Sequence, residues 1–230
     1  MPVPVLYSDD AILVIDKPAG LLSIQDGYNL SLATVKTELE PLYGRLWVVH
    51  RLDRLTSGVM LLARSAEAHR TLNLAFDQHL PVKLYQAALA GNPPWESISL
   101  THPLRINGDR NHRTVIDPVR GKPARTDVSL LERFMYASFV SIRLYTGYTH
   151  QIRAHLAHAG FPLCGDPLYR SKIPAVSSTN PATLPTPPGL MLHAGSLSLP
   201  HPLTGQELTF CAPLPAAFQA YLEILRQSIN

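Results

Sequence analysis

Asp53 stands in the run His50-Arg51-Leu52-Asp53-Arg54-Leu55-Thr56-Ser57-Gly58, a carboxylate set between two guanidinium groups and followed at once by turn residues. Arginine is charged at any ordinary pH, so an Asp that the fold brings within a few ångströms of one ionises more readily. The Thr-Ser-Gly turn presents it on a loop, where chemistry usually sits, in the ionised state that nucleophilic or basic work needs. A surface ion pair would have the same composition, so the run does not stand alone. Between Pro81 and Ala90, alternation places Lys83, Tyr85 and Ala87 on one face of a strand. A buried core tyrosine is the alternative role for Tyr85. Further on, Gly147-Tyr148-Thr149-His150-Gln151-Ile152-Arg153 closes a strand and opens a helix with Arg153 in its first turns. Between Arg105 and Arg125 six basic residues (Arg105, Arg110, Arg113, Arg120, Lys122, Arg125) face two acidic ones (Asp109, Asp117), an excess of 6 − 2 = +4 against +3 for the whole chain. A phosphate backbone selects such a stretch, and a solvated loop face would also carry it.

Several other chemistries are disfavoured. His150 and His155 point about 140° apart on a helix, which does not suit a shared zinc ion, so no metal site is expected. Ser57 lacks the G-x-S-x-G turn of a serine hydrolase, and His50-Arg51 is not followed by the residues of a kinase loop. His50 reads as a hydrogen-bond partner that fixes its loop. The two cysteines, Cys164 and Cys211, have no metal spacing and read as reduced thiols. No apolar run reaches membrane-span length and the first residues lack the pattern of a signal peptide, so a cytoplasmic protein is expected.

The elements that must position these residues follow from periodicity. Ile12 to Ile15 is a strand stopped by Lys17-Pro18-Ala19-Gly20, and Val59 to Ala63 is a second, entered from the Asp53 loop. Leu32, Val35, Leu39 and Leu42 recur at helical spacing after a Ser31 cap; Ser65 caps a helix with Ala68, Leu72, Ala75 and Phe76 inward. Val140, Ile142 and Leu144 mark an inward strand face, and a helix spans Thr149 to His158 with Ile152, Leu156 and Ala159 facing the core. Ser171 to Gly189 reads as a long loop or insertion; strands near Met191 to Leu199 and Glu207 to Cys211 precede a last helix with Phe218, Leu222 and Leu225 on its apolar side. Strands without regular βαβ alternation fit a mixed α+β fold on a mostly antiparallel sheet.

Four ordered blocks together resemble the RluA-type pseudouridine synthases: Asp16-Lys17-Pro18-Ala19-Gly20-Leu21; His50 to Gly58 with Val59 to Ala63 behind it; Lys83-Leu84-Tyr85-Gln86-Ala87; and Gly147 to Arg153 continuing to Gly165-Asp166-Pro167. Gly121-Lys122-Pro123-Ala124 and Leu192-His193-Ala194 extend the resemblance over nearly the whole chain. The likeness implies a bisected sheet flanked by helices and loops, with the active cleft across its middle. It implies a single catalytic domain over 1–230, without the S4-type domain of many relatives, working as a monomer. It implies isomerisation of a uridine in ribosomal or transfer RNA, by base flipping, cleavage at N1 and reattachment through C5, without metal or organic cofactor. On this resemblance Asp53, Tyr85 and Arg153 are catalytic, with Arg153 the partner of Asp53. Whether Asp53 attacks the ribose carbon or takes a sugar proton stays open. Arg51 pushes in beside the displaced nucleotide, and Lys83, His150 and Gln151 bind substrate; from the basic stretch, Arg110 and Arg113 are expected to bind it through phosphate. Tyr148 stands where the family commonly has Arg. The rival reading is a non-catalytic RNA-binding protein of the same fold, which would have no use for a carboxylate among phosphates.

Overall fold

The structure is a computed structural model, and it describes residues 2–25, 29–169 and 184–227. In chain order the first elements are β1 (Val5–Ser8), β2 (Ile12–Lys17), α1 (Val35–Tyr43), β3 (Trp47–Val48), β4 (Ser57–Ala63) and α2 (Ala66–Asp77). Then come β5 (Val82–Ala90), β6 (Ser97–Leu100), β7 (Leu104–Arg105), β8 (Val115–Ile116), β9 (Thr126–Arg133), β10 (Ala137–Leu144) and α3 (Gln151–His158). The last are β11 (Leu192–Pro200), β12 (Glu207–Cys211) and α4 (Ala216–Gln227). The fold is mixed α+β with mostly antiparallel pairing, as expected. The chain forms two compact units, residues 1–83 with 193–213, and residues 84–192 with 214–230.

In the first unit the strands run in the order β1-β2-β4-β11, with β3 on β4 and β12 on β11. β4 is buried along its whole length, because Ala11, Ile12, Val14, Val59, Leu61, Ala63, Ala68, Leu72, Leu197 and Leu199 close over it as one apolar core. β2 and β4 pair antiparallel from Ile12↔Ala63 to Lys17↔Gly58, and β11 pairs parallel with β4 at His193↔Ser57 and Ala194↔Gly58. The start of β4 is therefore clasped by Lys17 on one side and His193 on the other. Gly58 is required there: its φ is +114°, and a Cβ would lie 2.2 Å from the Ala194 carbonyl oxygen.

In the second unit β5-β10-β9-β6 are neighbours in that order, β7 and β8 form a small pair, and α4 packs Phe218, Tyr221, Leu222 and Leu225 into a core with Ala88, Phe139 and Met191. The inward residues Val140, Ile142 and Leu144 of β10 are buried as the alternation predicts.

Two boundaries differ from the sequence reading. Helix α1 is capped by Thr34, whose hydroxyl accepts from Thr37 N in a reciprocal capping box, so Ser31 lies outside it and Leu42 is exposed. Helix α3 begins at Gln151, because His150 takes a left-handed backbone (φ +57°) that cannot continue a helix. The Ser65 cap of α2 holds, its hydroxyl accepting from Ala68 N at 3.1 Å. Of the expected loop from Ser171 to Gly189, positions 171–183 lie outside the described residues.

Candidate active site

The Asp53 loop is built from backbone contacts. Ser23 Oγ donates to the Leu52 carbonyl at 2.7 Å and accepts from Leu52 N at 3.1 Å, and Thr56 N donates to the Asp53 carbonyl at 3.0 Å. Gly20 N donates to the Arg54 carbonyl at 2.7 Å, while Arg54 Nε returns a bond to the Gly20 carbonyl at 3.1 Å. Lys17, wholly buried at 0% exposure, donates from Nζ to the carbonyls of Pro18 (2.9 Å), Leu21 (2.9 Å) and Arg54 (3.4 Å). Burial lowers its pKa to about 8, against the charges of Asp53 and Asp16, which favour the ammonium. The Lys17-Pro18-Ala19-Gly20 turn is thus the clamp of the Asp53 loop. Asp53 itself is half-buried and Arg51 is exposed.

His50 fixes the other end of the loop. Its Nε2 accepts from Leu61 N at 2.9 Å and its ring stacks on Phe76 with centroids 4.8 Å apart. Burial, with the nearby charge of Lys83, pushes its pKa down to about 3, so it stays neutral and serves as the loop-fixing partner expected of it. At the start of β4, Ser57 Oγ and His193 Nδ1 are 2.9 Å apart in the core. On β5, Lys83 and Tyr85 are buried while Leu84 between them is exposed, as the alternation requires.

In the second unit Arg153 is 3% exposed and grips Asp166 with two parallel bonds, Nε to Oδ2 and Nη2 to Oδ1, both 2.7 Å. Burial alone would raise the Asp166 pKa, but the hydrogen bonds and charge of Arg153, with the N–H groups of Leu168 and Tyr169, hold it below the usual carboxylate range. The guanidinium carbon lies 5.1 Å from the Tyr169 ring centroid. His150 Nδ1 lies 3.2 Å from Tyr169 Oη, which also donates to the Thr114 carbonyl.

Gln151, expected to bind substrate, is buried with both ends of its amide engaged. Its oxygen accepts from Thr146 Oγ1 and Tyr148 N, and its nitrogen donates to the Arg125 carbonyl and Thr126 Oγ1. It shapes the turn before α3. Tyr148 packs against the Leu104, Ala124, Ala154 and Tyr169 cluster, which makes it a core contact.

The basic stretch is partly neutralised by its own fold. Arg105 pairs with Asp117 (2.8 Å), Arg113 with Asp109 (2.6 Å) and Arg125 with Asp127 (2.8 Å). Arg113 also donates to the Leu168 carbonyl. Arg110, Arg120 and Lys122 are exposed and form no ion pair among the described residues. Among those residues no group of three or more His, Cys, Asp or Glu is placed to hold a metal ion, and no helix is long and apolar enough to cross a membrane.

Sequence reading missed Lys17, taken only as part of a turn, and Asp166, quoted within Gly165-Asp166-Pro167 but given no role. The signal for Asp166 was an acidic residue thirteen positions after an arginine already singled out; nothing local marked Lys17 or Ser23, whose partners are main-chain atoms.

Residues 11–158 match the sequence profile of a family described as RNA pseudouridylate synthase. The chain is 38% identical over 232 residues to the ribosomal large subunit pseudouridine synthase D of Pseudomonas aeruginosa, covering 97% of this chain and 72% of that one. It is 34% identical over 213 residues to the dual-specificity RNA pseudouridine synthase RluA of Escherichia coli K12, covering 91% and 92%. Among solved structures it resembles human RNA pseudouridylate synthase domain containing 4, with a TM-score of 0.79 at 25% identity over 97% of this chain and 93% of that one.

Proposed function

The chain belongs to the RNA pseudouridylate synthase family, and from that premise we propose that it converts one or a few uridines of structured ribosomal or transfer RNA to pseudouridine. The observation that carries this reading is the match over residues 11–158 with Asp53, Tyr85 and Arg153 all present. In this reading the chain is a single catalytic domain, and Asp53, Tyr85 and Arg153 each act on an extruded uridine. Extrusion costs a few kcal/mol of stacking, which the exposed guanidinium of Arg51 offsets by entering the vacated place. Tyr85 packs on the flipped base. Asp53 meets the electron-poor ribose carbon, either by attacking it or by removing a sugar proton, and Arg153 holds it ionised. Lys83 and His150 contact the nucleotide, and Arg110 contacts phosphate. Gln151 and Arg113 serve by holding the turns that present these groups.

The enzyme needs neither metal nor organic cofactor in this scheme, because the base that leaves is the base that returns. It works as a monomer in the cytoplasm. The test is a map of pseudouridines in total RNA from the host with and without this gene. One or a few sites should vanish with the gene and return with it; an unchanged map overturns the proposal in favour of RNA binding without catalysis.

A further inference from the structure

Lys83 is 9% exposed, yet its ammonium makes no hydrogen bond or ion pair among the described residues. A buried charge without a partner is costly, so sequences rarely keep one without a use. His50, at the head of the Asp53 loop, senses its charge but offers it nothing: the imidazole is neutral and its Nε2 lone pair is taken by Leu61 N. The Lys83 nitrogen is not sealed off, since the fully enclosed side-chain atoms without a hydrogen-bond partner among the described residues are only Asn92 Oδ1 and Arg105 Nε. A desolvated cation with a residual opening, beside the loop of the reacting carboxylate, is placed to meet an anion that arrives with the substrate.

Two anions come with an RNA uridine: its phosphates and, during the reaction, the detached base. Phosphates are solvated and suit exposed cations such as Arg51 and Arg110. Lys83 instead shares a buried strand face with Tyr85, roughly 7 Å along the chain, and Tyr85 is the residue that packs on the base. We infer that the Lys83 ammonium donates a hydrogen bond to a ring carbonyl oxygen of the uracil and stabilises the negative charge that develops there when the glycosidic bond breaks. This deepens the function proposed above and rests on it.

The electron count is the same for both routes open to Asp53. The C1′–N1 bond breaks and its electron pair goes to the base, where it spreads over N1 and the two carbonyl oxygens. The sugar is neutralised by bonding to Asp53 or by losing a proton to it. After the base turns, an electron pair from C5 forms the C5–C1′ bond while the C1′–Asp53 bond breaks, or the proton held by Asp53 returns to the sugar; the C5 proton departs and N1 ends protonated. Lys83 keeps its protons throughout. A preorganised donor aimed at charge that exists only after the bond begins to break lowers the barrier without tightening ground-state binding.

The test is tritium release from C5-tritiated RNA of cells lacking this gene, over a range of RNA concentrations. Lys83→Met, which keeps the volume and removes the charge, should lower kcat by about 10²–10³-fold with KM changed by less than about threefold. Lys83→Ala should lose as much and regain part of it with added methylammonium, which no purely structural role predicts. The inference is overturned by a kcat within about threefold of wild type. It is also overturned by a loss confined to KM with a salt slope reduced by about one charge, which would make Lys83 a phosphate contact. Loss of the circular dichroism signal in both variants would make it structural. A wild-type protein that releases no tritium marks a different failure, that of the function itself.

Discussion

The loop that carries Asp53 and the turn and helix that carry Arg153 are held rigid by opposite means. In the Asp53 loop main-chain atoms are held: Lys17, Ser23, Gly20 and Thr56 secure the carbonyls and N–H groups of residues 52 to 54. Around Arg153 the side chain itself is gripped, by a carboxylate that is 1% exposed. A loop fixed through its backbone keeps those bonds whatever side chain stands at position 53. A guanidinium fixed by a buried carboxylate does not have that freedom, because removing it strands a charge.

The largest effect tests the first half of that contrast. Asp53→Asn should abolish tritium release, by roughly 10³-fold or more, in a variant whose circular dichroism spectrum matches that of wild type. Near-normal turnover in the folded variant would remove Asp53 from the chemistry. A large loss of stability would instead mean that the carboxylate, as well as the backbone, holds the loop.

The second half predicts a loss of folding free energy. Arg153→Met should cost about 3–5 kcal/mol in urea unfolding, since Asp166 is left buried without a counter-charge, with only the Leu168 and Tyr169 N–H groups to hold it. The double variant Arg153→Met with Asp166→Leu should recover most of that loss while remaining inactive. Additive costs would show that the pair is not the element that fixes this turn.

Lys17 links rigidity to pH. With its pKa lowered by burial from 10.5 to about 8, the unfolded chain binds a proton between those values that the folded chain has lost. This group therefore makes folding more favourable as pH rises through that window. Activity should run the other way: discharging the ammonium weakens its hold on the Pro18, Leu21 and Arg54 carbonyls, and turnover should fall roughly tenfold from about pH 7 to about pH 9. Rates and urea midpoints measured across the same pH range decide it. Lys17→Met should be slow and free of this alkaline fall; a wild-type rate level to about pH 10 would take Lys17 out of the loop's positioning.

Much of this was legible in the sequence because it is periodic. The inward faces of β4, β5, β10 and α4, and the Ser65 cap, follow from side-chain spacing and local hydrogen bonding. The α1 start was misplaced by a turn because Ser31 and Thr34 are both competent caps and only the box with Thr37 separates them. At the site, residue types pointed to Asp53 and Arg153, but what fixes them did not show. Lys17 works on carbonyls, which every residue has, and Gln151 spends its amide on a turn whose closure depends on residues 125 and 126. Neither partner has a sequence signature. The +4 of the basic stretch was a sum over residues, and it could not say which charges the fold spends on itself.

That division of the basic stretch gives the smallest expected effect. Arg110 is exposed with no ion pair among the described residues, whereas Arg113 is bound to Asp109 and to the Leu168 carbonyl. A cation that already has a carboxylate releases fewer counterions on meeting phosphate, because its charge is largely compensated before RNA arrives. Arg110→Ala should therefore lower the log–log salt slope of RNA affinity by about 0.7–0.9 and weaken binding a few-fold. Arg113→Ala should leave the slope nearly unchanged while lowering the urea midpoint slightly, as fits a solvent-screened pair. The reverse order, with Arg113 setting the slope and Arg110 silent, would mean that RNA breaks the Asp109 pair on binding. The two arginines would then exchange the roles of anchor and brace.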